Sequence, residues 1–97
     1  MKRPSKLSAQ DVDSRLATLP GWKRAKGRLH RTFAFADFSE AFAFMARAAL
    51  AAEKMNHHPD WSNAWNKVTV DLNTHDAAGI TELDFKLAAE MNRIAGS

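Results

Sequence analysis

The chain has 97 residues, 45% of them hydrophobic and 26% charged, with a formal net charge of +3 and no cysteine. That length fits one compact domain with a thin core, to whose stability self-association would add. Disulfide frameworks, thiolate zinc sites and cysteine nucleophiles are excluded, and no apolar run approaches the roughly 20 residues that span a bilayer.

The opening Met1-Lys2-Arg3-Pro4-Ser5-Lys6 is charged and leads into no apolar stretch, so it does not read as a secretory signal; 1–6 is expected to be a flexible tail on a single cytoplasmic domain covering 1–97. Ser8 then precedes a helical pattern with Val12, Leu16 and Leu19 on one face, and Asp11 completes a capping-box-like start. Pro20-Gly21 stops it. Trp22 to Phe35 reads as a hairpin turning at Lys26-Gly27, and its second strand puts Leu29, Arg31, Phe33 and Phe35 on one face, Arg31 being the odd member. Asp37 and Glu40 start a long helix reaching about Lys54, whose predicted inward stripe is Phe38, Phe42, Met45, Ala49 and Ala52. Phe44 falls off that stripe and is assigned to contact with another subunit.

Pro59 biases His58 towards an extended conformation, so the helix does not continue; a short strand fits around Asp60 to Asn63. Trp65 to Asn73 is a strand with Val68, Val70 and Leu72 facing one way. Thr74 to Gly79 is a loop, and Thr81-Glu82-Leu83-Asp84 opens a last helix with Leu83, Leu87, Met91 and Ile94 inward. The order of helix, two strands, helix, one or two strands and helix defines an α+β chain with helices on one face of an antiparallel sheet.

The charge is uneven: residues 1–31 hold nine of the fourteen Lys and Arg and two of the eleven acids. Lys23, Lys26, Arg28 and Arg31 could face a nucleic acid. The hairpin lacks interleaved stacking aromatics apart from Trp22, so a solvated basic surface is the better reading. His30 in the same hairpin is expected to be exposed, and Trp22 to lie in the core.

Three of the four histidines fall between His57 and His75. His57 and His58 open the loop after the long helix, and His75 follows a strand directly. Loops held by rigid elements are where functional side chains concentrate, and imidazole exchanges protons near neutral pH. Glu53, one turn before His57, and Asp84 could each fix a histidine tautomer, and Trp61 could wall the pocket of a flat ligand. Taken alone, the pattern allows three readings: polar surface histidines, an acid–base site, or a three-histidine zinc site. The last is awkward, because adjacent residues of an extended segment point to opposite sides.

The run Glu53-Lys54-Met55-Asn56-His57-His58-Pro59-Asp60-Trp61-Ser62-Asn63, followed by Asn66-Lys67-Val68-Thr69-Val70 and Leu72-Asn73-Thr74-His75-Asp76, closely resembles the pterin-4a-carbinolamine dehydratases, which in animals are also dimerisation cofactors of hepatocyte nuclear factor. The likeness spans roughly Ser8 to Ile94, with a Gly-Trp before the first strand and Gly-Ile-Thr-Glu opening the last helix. It implies a helix–strand–strand–helix–strand–strand–helix fold with a four-stranded antiparallel sheet and three helices on one face, in a homodimer or homotetramer. It implies that His57, His58 and His75 are catalytic, that Pro59, Thr74 and Asp76 line the pterin pocket, and that Glu53 and Asp84 support them. No metal and no cofactor beyond the pterin substrate is implied. Trp65 departs from the family pattern, in which a tyrosine is common.

The implied reaction is loss of water from a 4a-hydroxytetrahydropterin to give quinonoid dihydropterin. The implied setting is recycling of the cofactor of an aromatic amino-acid hydroxylase. The alternative is a non-enzymatic binding module that regulates a partner. A pure binder would not need the histidine set.

Overall fold

The computed structural model describes residues 4–96. Ser8 caps the first helix through a hydrogen bond from the Asp11 N–H at 3.1 Å, and α1 runs Ala9–Leu16. It buries Val12, while Leu19 enters the core from just beyond the helix end. Strands β1 (Lys23–Ala25) and β2 (Arg28–Ala34) follow. Lys26 and Gly27 join them with φ of 55° and 75°, a two-residue turn whose twist matches that of the strands. Of the tail, residues 1–3 lie outside the described part, and the Lys6 side chain lies against Gly79, where a Cβ would fall 2.8 Å from Lys6 Cε.

Helix α2 (Phe38–Met55) is capped by Asp37, and Glu40 reaches back to the Ala36 N–H rather than to that of Asp37. Its inward face keeps Ala52 and the half-buried Met45 of the predicted stripe but is otherwise a different one. Ala41, Phe44, Ala48 and Ala52 are buried, whereas Phe38 and Phe42 are 51% and 58% exposed. Three small side chains let the helix axis come close to the sheet, and one aromatic, Phe44, fills the gap beside Phe33 and Phe35 with ring centroids 4.6 and 5.1 Å away. Phe44 is therefore a core residue and not the subunit contact expected of it, while Phe38, Phe42 and Leu50 are the large apolar side chains exposed on this helix.

Strands β3 (Asp60–Ala64) and β4 (Lys67–Leu72) form a second hairpin. Trp65 belongs to its turn, with φ of 52°, and not to the strand that the sequence pattern began there. Helix α3 (Glu82–Ala95) closes the chain, with Leu87 and Met91 fully buried and Leu83 and Ile94 at the edge of its inward face. The antiparallel sheet runs β1-β2-β4-β3. Leu29 faces Leu72 and Phe33 faces Val68 on the side covered by the three helices.

Arg31 is the charged exception on that apolar face. Its guanidinium lies 4.1 Å from the Phe33 ring centroid and donates to the Pro20 carbonyl at 3.1 Å and to Asn92 Oδ1 at 2.5 Å. Burial lowers its pKa from the ordinary guanidinium value. Trp22 is in the core as expected, and its indole N–H donates to the same Asn92 oxygen at 2.8 Å. On the opposite face Thr32, Thr69 and Ser62 lie side by side across the strands. His30 is on this face but only half-exposed, because its Nδ1 sits 2.8 Å from Asp71 Oδ1 on the neighbouring strand.

Candidate active site

The end of α2 aims the first histidine. Asn56 adopts a left-handed conformation with φ of 52°, the His57 N–H bonds the Ala52 carbonyl and the Asn56 N–H bonds that of Glu53, both at 3.0 Å. This pair of bonds is a Schellman closure, and it turns the chain back on the helix so that His57 enters the protein. Pro59 then carries the segment extended into β3. Across the sheet end, Thr74 and Gly79 pair in a small bridge, with N–H to carbonyl distances of 2.7 and 3.3 Å, and pinch off a single helical turn, His75–Ala77, that holds His75 at the surface.

These two segments enclose a cleft of about 290 Å³ lined by Asn56, His57, His58, Pro59, Asp60, Asn73, His75 and Asp76. The three histidines singled out in the sequence meet there, together with Pro59 and Asp76. The size is near the lower end of small-molecule sites, which run from about 300 Å³ upward.

The histidines differ in setting. His57 is 4% exposed, and its Nε2 lies 2.5 Å from Oδ1 of Asp84, which is wholly buried. A carboxylate oxygen accepts, so Nε2 carries the hydrogen and Nδ1 is the basic nitrogen of the neutral ring. The other oxygen of Asp84 accepts from the Thr81 N–H and from the Thr74 hydroxyl, each at 2.9 Å. Thr81 Oγ1 in turn lies 2.7 Å from Thr74 Oγ1 and accepts the Leu83 N–H. One direction satisfies the whole chain: Leu83 donates to Thr81, Thr81 to Thr74, and Thr74 to Asp84. The bond from the Thr81 N–H to Asp84 is also half of the capping box of α3. His58 is exposed, and its Nε2 lies 2.8 Å from Glu53 Oε1, itself exposed, so this pair is screened by solvent and holds the ring loosely. His75 is exposed.

Two expected pocket residues sit elsewhere. Thr74 is buried beneath the cleft with its hydroxyl committed to Asp84 and Thr81, so it supports the site from behind. Trp61 is the cross-strand neighbour of Val70, which fixes its side chain on the core face of the sheet, away from the cleft. Asn56, Asp60 and Asn73 line the cleft and were not picked out as site residues. For Asn56 a signal existed: an asparagine just after the last residue of a helix marks a left-handed cap. Among the described residues no three His, Asp or Glu side chains are grouped so as to hold a metal ion, and no helix is long and apolar enough to cross a membrane.

Fold and cleft together define an α+β protein with a cleft where three imidazoles meet, two of them backed by carboxylates. The sequence profile of the pterin 4 alpha carbinolamine dehydratases matches residues 5–94, and the chain belongs to that family. It is 53% identical over 95 residues to a protein of Sinorhizobium fredii, covering 96% of this chain and 90% of the relative, and 52% identical over 91 residues to one of Solibacter usitatus, covering 94% and 96%. Both relatives are provisionally named pterin-4-alpha-carbinolamine dehydratase. A crystal structure described as a transcriptional coactivator/pterin dehydratase from Brucella melitensis superposes with a TM-score of 0.92 at 51% identity, covering 95% of this chain and all of that one. A pterin dehydratase-like protein identified as a RuBisCO assembly factor in the alpha-carboxysome gives 0.67 at 25% identity, over 79% of this chain and 92% of that one.

Proposed function

We propose that the protein dehydrates a pterin 4a-carbinolamine by histidine acid–base catalysis. The carrying observation is His57, held by a buried carboxylate at the floor of a cleft that also receives His58 and His75. Dehydration breaks the C4a–O bond and the N5–H bond; the hydroxyl leaves as water once protonated, and a base takes the N5 proton. His57 and His75 come from different strand ends, before β3 and after β4, and serve as the acid–base pair, while His58 holds the pterin. Both groups must work near neutral pH, which suits imidazole, and proton transfer of this kind contributes about 10²–10⁴-fold. Pro59 and Asp76 take positions in the ring's binding wall. The setting that fits this product is cytoplasmic recycling of the tetrahydropterin of an aromatic amino-acid hydroxylase.

Stopped-flow measurement of carbinolamine decay with and without the protein tests the reading; an unchanged rate overturns it. The same assay after chelator treatment is expected to show full activity. Loss restored by added zinc would contradict a metal-free mechanism.

The non-enzymatic alternative, a regulatory binding module, is supported by the words coactivator and assembly factor attached to the structural neighbours. It gives no role to the meeting of three histidines in one cleft, and the enzyme reading is preferred.

The protein is further proposed to be a homodimer or homotetramer. Phe38, Phe42 and Leu50 are exposed on α2, the first two with ring centroids 6.0 Å apart, and a core of this size gains from covering them. Light scattering at micromolar concentration is expected to give a multiple of 10.8 kDa. A monomer alone would contradict it.

A further inference from the structure

Beside the cleft, on the open face of the sheet, lies a second cavity of about 440 Å³ lined by Lys23, Ala25, Lys26, Arg28, His30 and Asp71. Strand register explains it. Lys23, His30, Asp71 and Asp60 are successive partners across β1, β2, β4 and β3, so their side chains form one row on that face. One ion pair links the two cavities: Asp60 lines the cleft, and its carboxylate accepts from Arg28 of the second cavity at 3.1 Å.

Both acids of the row are engaged. Asp60 accepts from Arg28, and Asp71 accepts from His30 Nδ1 at 2.8 Å. Among the described residues Lys23 and Lys26 form no ion pair. Two ammonium groups and the remaining guanidinium N–H donors of Arg28, gathered on one concavity, are a donor set for a phosphate group. Neighbouring strands lie about 4.8 Å apart, so the lysines stand roughly 10–14 Å from Asp60, less the reach of their own side chains.

We propose that this cavity is a tail subsite, which receives a phosphate or diphosphate carried on the side chain of a pterin seated in the cleft and so selects charged pterins over neutral ones. It rests on the pterin reading and adds no chemical step to it.

The test is calorimetric titration of 6-hydroxymethyl-7,8-dihydropterin and of its diphosphate ester into the native protein and into the Lys23→Gln, Lys26→Asn double variant. Asparagine tolerates the left-handed φ of 55° at position 26. The native protein is expected to bind the ester about tenfold more tightly, and the variant to lose that preference while binding the neutral pterin unchanged. Equal affinities in the native protein, failure of both pterins to bind, or an equal loss for both in the variant overturns the proposal. Inorganic pyrophosphate separates the sources: as tight as the ester, it makes the cavity a free-anion site and overturns the tail subsite; weaker, and competing only with the ester, it supports it. Filter binding of a single-stranded oligonucleotide, lost in the variant and without any ester preference, assigns the surface to nucleic acid instead and overturns it too. Turnover of a neutral carbinolamine reports on the dehydratase reading separately, since the lysines are outside the cleft.

Discussion

Alanine in place of His57 or His75 is expected to lower kcat by about 10²-fold or more, while His58→Ala chiefly raises KM. The difference follows from how each ring is held. His57 lines the cleft, is buried and is oriented by Asp84, so one tautomer is fixed, with Nδ1 as the basic nitrogen. Groups positioned in advance act in the transition state, and their removal appears in kcat. His75 approaches from the helical turn beyond β4, on the other side of the cleft. His58 is exposed and tied only to an exposed glutamate, a setting for a ring that closes on a ligand and binds ground and transition states alike. Steady-state kinetics on the three variants decides the matter. Equal kcat losses at unchanged KM in all three would remove the division of labour, and full activity in the His57→Ala, His75→Ala double variant would remove the site assignment as well.

The second large effect is expected at Asp84. Replacement by alanine strands the His57 Nε2–H, the Thr81 N–H and the Thr74 hydroxyl in a fully buried space. Breaking such a buried network costs about 3–5 kcal/mol. Asp84→Asn is the more informative variant, because its volume is the same. Its single carbonyl oxygen can serve His57 or the Thr81 N–H, and the amide NH₂ then faces a donor at the other. Stability should fall by about 1–3 kcal/mol, the cost of a buried group left unsatisfied. kcat should fall with it, since the tautomer of His57 is no longer fixed. Chemical denaturation and carbinolamine turnover measure the two losses. Native kcat in Asp84→Asn would show that His57 does not depend on the carboxylate.

Most of the strand pattern was legible because alternation has one solution: Val68, Val70 and Leu72 cannot all be buried in any other register. The Lys26-Gly27 turn and the Asp37 and Thr81 caps were legible for similarly local reasons, whereas the meeting of His57, His58 and His75 came from the family resemblance, the pattern alone leaving three readings open. The phase of α2 was not. Alanines occur all around that helix, so hydrophobicity alone favours turning Phe38 and Phe42 inward, whereas the distance between helix and sheet selects the alanine face. Thr74 and Trp61 were misplaced for a different reason. Membership in a motif gives adjacency along the chain, but which side of the sheet a residue occupies depends on register, and that is settled by the partner strand. His30 was misjudged because its partner, Asp71, is remote in sequence and adjacent only once β2 and β4 pair.

The capping box of α3 makes catalytic competence a property of the folding of the C-terminal helix. The carboxylate that satisfies the first turn through one oxygen orients His57 through the other, so loosening that turn loosens the histidine as well. Turnover is then a direct gauge of how much of the population has that helix in place, and denaturant should erase activity and α3 in a single transition. It also narrows what sequence drift can do here: a substitution that improved the cap at the expense of the histidine, or served the histidine and loosened the cap, would be caught by selection on either trait.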